Sequence, residues 1–208
     1  MAEKKIQIPS QDLLLEGLLG ECPGGEGVVV THPHPLYGGE MHNNVVEAVV
    51  QAYQEQGFTT LRFNFRGVGR SRGSYDNGMG EQEDVLAALH CLEGLGKTSL
   101  DLAGYSFGAW VNAMGVPRFD AAGRLIMISP PVNFLDFSFL KTSSKIRLVI
   151  AGSHDDIGPP AMIQEMLPSW NPSARFHVIE GADHFYWGRE GELVSVLSRF
   201  LEDQRSTA

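Results

Sequence analysis

The sequence predicts an α/β protein built on a mostly parallel sheet of about eight strands, with helices covering both faces. Two observations predict it. Short runs of β-branched and aliphatic residues alternate along the chain with segments whose apolar residues recur at helical spacing. Glycines, 24 of 208 residues, fall where many of these runs stop, as tight turns between strands and helices require. Strands that alternate with helices need right-handed crossovers, and so a sheet buried between two helical layers. The length fits one domain with a core large enough to fold unaided.

From Lys5 to about Leu19 the apolar pieces are broken around Pro9, Ser10 and Gln11, the pattern of a two-stranded hairpin. The run Val28 to Thr31 reads as a strand buried on both faces. His42 to Gln56 places Val45, Val46, Val49, Val50 and Tyr53 on one helical face, and Gly57 stops it. Thr59 to Phe65 is a strand, and Glu81 to Leu92 a helix whose acidic first turn suits the helix dipole. Strand Ser99 to Ala103, helix Phe107 to Gly115 and strand Leu125 to Ser129 follow. The chain then gives strand Ile146 to Ala151, helix Pro160 to Leu167, strand Arg175 to Ile179 and a final helix from Glu190 to about Glu202. Pro160 belongs at a first helical turn, where its missing N–H costs nothing.

Composition narrows the function. A net charge of −9 argues against nucleic acid, whose phosphates need a basic surface, and against anionic membranes. No apolar segment approaches the roughly 20 residues that span a bilayer. The run LLLEGLL behind Lys4 and Lys5 is short, broken by Glu16 and followed by no cleavage site, so no signal peptide is read and a cytoplasmic location is expected. Cys22 and Cys91 form no disulfide or zinc spacing and read as small apolar fillers.

The chemistry-bearing pattern is G-x-S-x-G, and it occurs twice, as Gly69-Arg70-Ser71-Arg72-Gly73 and as Gly104-Tyr105-Ser106-Phe107-Gly108. A nucleophile elbow needs a strand directly before the serine and a helix directly after it. Only Ser106 has both: SLDLAG runs into it and FGAWVNAMG leaves it, whereas Ser71 lies in a polar, glycine-rich loop. A helix that begins at Phe107 also presents the Phe107 N–H at a positive helix end, where an oxyanion would be stabilised. The base and acid are expected at the C-terminal ends of later strands, where loops converge on one crevice. Of the three histidines after Ser106, His177 sits inside a strand and His154 in the loop after IRLVIAG, whereas His184 follows the last strand on a turn able to reach over the sheet edge. Asp155 is the favoured acid, with Asp156 as its alternative; Asp136 is weaker, and Asp183 is too near His184 in sequence to orient it easily.

Taken together, THPHPLYGGEMHNN, LRFNFRGVGRSRG, LAGYSFGAW, AGSHDDIGPP and EGADHFYWGR resemble the α/β-hydrolase superfamily over essentially the whole chain. More closely, the chain resembles the small, lidless, esterase-like bacterial hydrolases related to dienelactone hydrolase. Dienelactone hydrolases themselves carry a cysteine nucleophile where this chain has Ser106, so their particular substrate does not transfer. The resemblance implies that HPHPLYGG supplies the second oxyanion donor, the N–H of Leu36 with Tyr37 as the alternative, beside that of Phe107. It also weighs against zinc on His32, His34 and His42, and neither a metal nor an organic cofactor is expected. Gly67-Val68-Gly69 and Gly96-Lys97-Thr98 depart from nucleotide-loop spacing and read as turns.

Only Pro130 to Lys145 separates two strands where lidded relatives insert a cap, which leaves an open site. Tyr37, Tyr105, Phe134, Phe185, Tyr186 and Trp187 are candidates for its apolar wall. The expected activity is hydrolysis of small, soluble carboxylic esters of short acyl chains through an acyl-serine. A thioesterase or acyltransferase with the same triad, and a binding protein that kept the fold without catalysis, are the alternatives.

Overall fold

A computed structural model describes residues 2–206 of the chain. Its elements in order are β1 (Lys4–Ser10), β2 (Leu13–Gly20), β3 (Glu26–Thr31), α1 (Asn44–Glu55), β4 (Thr59–Phe63), α2 (Met79–Gly94), β5 (Ser99–Tyr105), α3 (Phe107–Gly115), β6 (Ala122–Ile128), β7 (Ile146–Gly152), α4 (Pro160–Trp170), β8 (Arg175–Ile179) and α5 (Glu190–Ser206). A 3-10 turn, Pro35–Tyr37, lies between β3 and α1. All eight strands join one sheet in the order β1-β2-β4-β3-β5-β6-β7-β8. The β1–β2 hairpin pairs antiparallel and joins β4 antiparallel, and every later pairing is parallel.

The central strands are apolar on both faces because each face has its own helical layer. In β3, Val29 faces a core that includes Val85, Leu89, Phe107 and Val111, from α2 and α3. Its neighbours Val28 and Val30 face the opposite core, with Val45, Val49, Leu193 and Leu197 from α1 and α5. Met127 and Val149 repeat the first direction, and Ile126, Ile128 and Ile150 the second. A period of two over continuous apolar runs is what buried parallel strands show. β8 closes the sheet as an edge, and its His177 is exposed.

Boundaries differ from the sequence expectation where a cap or a special backbone decides them. Asn43 caps α1, its Oδ1 accepting from the Val45 N–H at 3.0 Å, so the helix starts at Asn44 and not His42. α2 starts at Met79 because Gly78 is left-handed at φ 84° and Glu81 reaches back to the N–H groups of Gly78 (2.8 Å) and Asp76 (2.9 Å). β6 begins at Ala122, ahead of the expected Leu125. Two ion pairs, each on a buried aspartate, fasten the layers. Asp84 of α2 takes two bonds from the Arg66 guanidinium, at 2.8 and 3.1 Å, and one from the Ser10 hydroxyl at 2.8 Å. On the other side Asp101 of β5 accepts from Arg124 at 2.7 Å and Tyr53 at 2.9 Å.

Candidate active site

Ser106 stands between β5 and α3 with no residue to spare, and its backbone shows it. At φ 53° and ψ −117° it occupies a region that L-residues rarely adopt. The Ser106 N–H donates to Ile128 O at 2.9 Å and its carbonyl accepts from the Trp110 N–H at 3.2 Å. The flanking glycines are steric requirements. A Cβ on Gly104 would lie 2.6 Å from Ala109 N, and one on Gly108 would lie 2.7 and 2.8 Å from the carbonyl oxygens of Thr31 and His32. Strand, helix and the loop after β3 thus meet at the serine.

The loop after β8 brings His184 to it. Nε2 of His184 lies 3.0 Å from Ser106 Oγ, and Nδ1 lies 2.9 and 3.0 Å from the two carboxylate oxygens of Asp155. Asp155 follows β7, and its Oδ1 also accepts from the N–H groups of Ile157 at 3.0 Å and Gly158 at 2.7 Å. A carboxylate can only accept, so the ring proton sits on Nδ1 and Nε2 is left to accept from the serine hydroxyl. Ser106, Asp155 and His184 are 7%, 2% and 6% exposed. Burial pushes the Asp155 carboxyl up, but the His184 ring, the Gly158 N–H and the Ser129 hydroxyl outweigh it and hold the group below the usual carboxylate range. The Tyr105 hydroxyl donates to His184 O at 2.8 Å and fixes the loop from beneath.

A cavity of about 910 Å³ lies elsewhere, between the β1–β2 hairpin and the loops 38–42 and 67–72. Its lining includes none of these three residues. No helix or strand lies between β6 and β7 among the described residues.

The fold recurs in known structures. A solved α/β serine hydrolase homologue from Coxiella burnetii is 36% identical over 96% of this chain and 97% of its own, with a TM-score of 0.87. The chain belongs to the α/β hydrolases. A lidless α/β serine hydrolase from Xanthomonas campestris is 30% identical over 97% of this hydrolase and 94% of its own chain, at TM-score 0.88. An uncharacterized protein of Rickettsia prowazekii (strain Madrid E) is 34% identical over 189 residues, 86% of this chain and 79% of the relative. No protein-family profile matches the chain.

Several residues of the hydrolase stand apart from their sequence-based assignment. The Leu36 N–H donates to His34 Nδ1 at 3.2 Å and the Tyr37 N–H to His34 O at 3.1 Å, so the 3-10 turn engages both expected oxyanion donors itself. The His34 N–H, by contrast, has no acceptor among the described residues, and its ring packs 4.7 Å from that of Phe107. Tyr105 and Tyr186 are not wall residues. They are 2% and 0% exposed, with their hydroxyls directed to His184 O and Ser129 Oγ. Leu36, Tyr37, Phe134, Phe185 and Trp187 are exposed, at 67%, 86%, 70%, 51% and 72%.

The remaining candidates are accounted for locally. Asp156 and His154 are exposed beside Asp155. Asp183 caps its own loop, accepting from the N–H groups of Phe185 and Tyr186 at 2.9 and 3.0 Å. Asp136 accepts from Ser138. Ser71 is buried, donating to Asn64 O at 2.7 Å and accepting from the Glu16 N–H at 3.0 Å. His32 accepts the Phe65 N–H on Nε2 at 3.0 Å and donates from Nδ1 to Pro33 O at 2.7 Å, which occupies both ring nitrogens. His42 lies 3.7 Å from Glu47. Among the described residues no group of three His, Cys, Asp or Glu could hold a metal ion, and no helix is long and apolar enough to cross a membrane.

Proposed function

We propose that this protein hydrolyses carboxylic esters of short acyl chains through an acyl-serine. The single observation that carries the reading is the chain of hydrogen bonds from Ser106 Oγ through His184 to Asp155, each link 3.0 Å or shorter. His184 Nε2 takes the serine proton as Oγ attacks the carbonyl carbon, and Asp155 stabilises the imidazolium that results. The first N–H groups of a helix are free of intrahelical partners, which leaves that of Phe107 to receive the oxyanion. The unpaired N–H of His34 supplies the second donor in place of Leu36. Imidazolium then protonates the leaving alcohol; water, deprotonated by the same nitrogen, releases the acid and restores Ser106.

The open site and its apolar rim favour small soluble esters over a buried lipid chain. p-Nitrophenyl acetate, butyrate and octanoate are the substrates to compare, with wild type and Ser106→Ala purified side by side. Short-chain turnover that falls at least about a thousandfold in the variant supports the reading. Wild-type turnover by Ser106→Ala overturns it.

A further inference from the structure

We propose, resting on the serine-hydrolase reading above, that Asn44 is a positioning residue for His184 and holds the loop of the base from the start of α1. Asn44 is the first residue of that helix, half-buried, and its side chain does not cap it, because Asn43 already accepts the Val45 N–H. Its Nδ2 donates away from its own helix instead, to Phe185 O at 2.9 Å and to Glu190 Oε1 at 3.0 Å. A peptide carbonyl and a carboxylate only accept, so the amide has one orientation here and both hydrogens of its nitrogen are used.

The two bonds fix different things. Glu190 opens α5, and that bond ties two helices which already share a core through Val45, Val49, Leu193 and Leu197. Phe185 directly follows the base. Its side chain is about half exposed, so packing restrains it little, and its ring stands nearly perpendicular to the imidazole with centroids 5.7 Å apart. The rest of the loop is anchored carbonyl by carbonyl. Ala182 O accepts from the His154 N–H at 2.9 Å, and His184 O from the Tyr105 hydroxyl at 2.8 Å. Those anchors are neighbours in sequence of Asp155 and of Ser106. Asn44 supplies the third anchor, and it ends the segment between β3 and α1 whose His34 N–H is assigned above to the oxyanion. Without it, the peptide after His184 is free to turn and carry the imidazole with it. Nε2 must stay within hydrogen-bond reach of Ser106 Oγ, and a misplacement of about 1 Å at a reacting group costs up to about a hundredfold in rate.

The test compares wild type, Asn44→Ala, Asn44→Asp and Glu190→Ala. Both Asn44 variants remove the donors; Asn44→Asp does so at nearly constant shape and places its charge where the helix dipole favours one. On the pH-independent plateau, kcat for p-nitrophenyl acetate is expected to fall about tenfold in each, with KM within about twofold of wild type. Labelling of Ser106 by a fluorophosphonate slows by a similar factor. Glu190→Ala breaks the tie between the helices and leaves the Phe185 bond, so its kcat stays within about twofold of wild type even where its urea midpoint falls. A loss of kcat in Glu190→Ala as large as in Asn44→Ala means that Asn44 only joins two helices, and overturns the positioning role. So does a kcat within about twofold of wild type in the Asn44 variants, whatever their stability. Either Asn44 variant suffices should the other fail to fold. Wild type that is never labelled overturns the serine-hydrolase reading and the role of Asn44 with it, whereas Asn44 variants labelled at the wild-type rate overturn that role alone.

Discussion

His32 makes the acid stability of this protein a measurable quantity. The ring is fully buried at the end of β3, with Nδ1–H on Pro33 O and Nε2 accepting from the Phe65 N–H. Burial lowers its pKa from 6.5 to about 4. Protonation would put a hydrogen on the nitrogen that now accepts, so the folded state resists it and the unfolded chain does not. Between those two pH values the unfolded chain binds more protons. Stability is therefore fully present above 6.5 and is lost as pH falls toward 4. At ~1.4 kcal/mol per tenfold in proton affinity the drop amounts to about 3 kcal/mol, a large part of the ~5–15 kcal/mol of a typical domain. His32→Gln keeps an acceptor for the Phe65 N–H and removes the titration. Urea unfolding followed by tryptophan fluorescence at about pH 7, 5.5 and 4 separates the two proteins. With ~2 kcal/mol per molar urea, the wild-type midpoint should fall about 1.5 M further than that of the variant. Carboxylates such as Asp155 titrate in both proteins and cancel in the difference. Midpoints that fall in parallel would refute the assignment of this linkage to His32.

Two further outcomes follow from steric and electrostatic contacts. In Gly108→Ala the new methyl would lie 2.6 Å from Thr31 Oγ1 and 2.7 Å from Thr31 O. It forces α3 off the loop after β3, costs about 1–3 kcal/mol and lowers kcat on p-nitrophenyl acetate; unchanged melting and turnover would contradict that packing. In Asp84→Asn the largely buried Arg66 guanidinium loses its one charged hydrogen-bond partner among the described residues. The cost is about 3–5 kcal/mol, readable by urea unfolding, and a loss below about 1 kcal/mol would mean that Arg66 escapes to solvent.

Much of this was legible because it depends on local pattern. Val28–Val29–Val30 reads as a doubly buried strand since all three side chains are apolar, and each meets its own helical layer. Ser106 reads as the nucleophile position since the glycines at 104 and 108 are demanded by strand–helix contact distances. What escaped depends on backbone details that composition does not encode. Phe185, Tyr186 and Trp187 form one aromatic run, yet the left-handed backbone at Tyr186 turns that ring inward to 0% exposure while its neighbours stay at 51% and 72%. Likewise, His34-Pro35-Leu36-Tyr37 reads as a rigid loop, but which N–H groups it engages is set by the 3-10 turn and by the His34 ring.

Without a lid, the site has no cover to exclude water from above, and the order of its groups must be imposed from below. Three of the five non-glycine residues with positive φ among those described, Ser106, Ser129 and Tyr186, stand at this edge of the sheet or in the loop that meets it. The other two, Gln11 and Asn77, lie in turns. Each strained backbone costs about 1–3 kcal/mol, so the clustering needs a compensating restraint, and the hydrogen bonds supply it. Ser106 N–H is tied to Ile128 O, Ser129 N–H to Ile150 O and Tyr186 N–H to Asp183. These bonds run from the end of β5 to β6, from the end of β6 to β7 and within the His184 loop, along the same route that links Ser106, Asp155 and His184. The aspartate lies deepest, at 2% exposed, where charge–dipole interactions are least screened. A scaffold that fixes its acid in the sheet edge can leave the serine face open to solvent and still present a preorganised imidazole, which is the physical condition for a hydrolase that works without a cap.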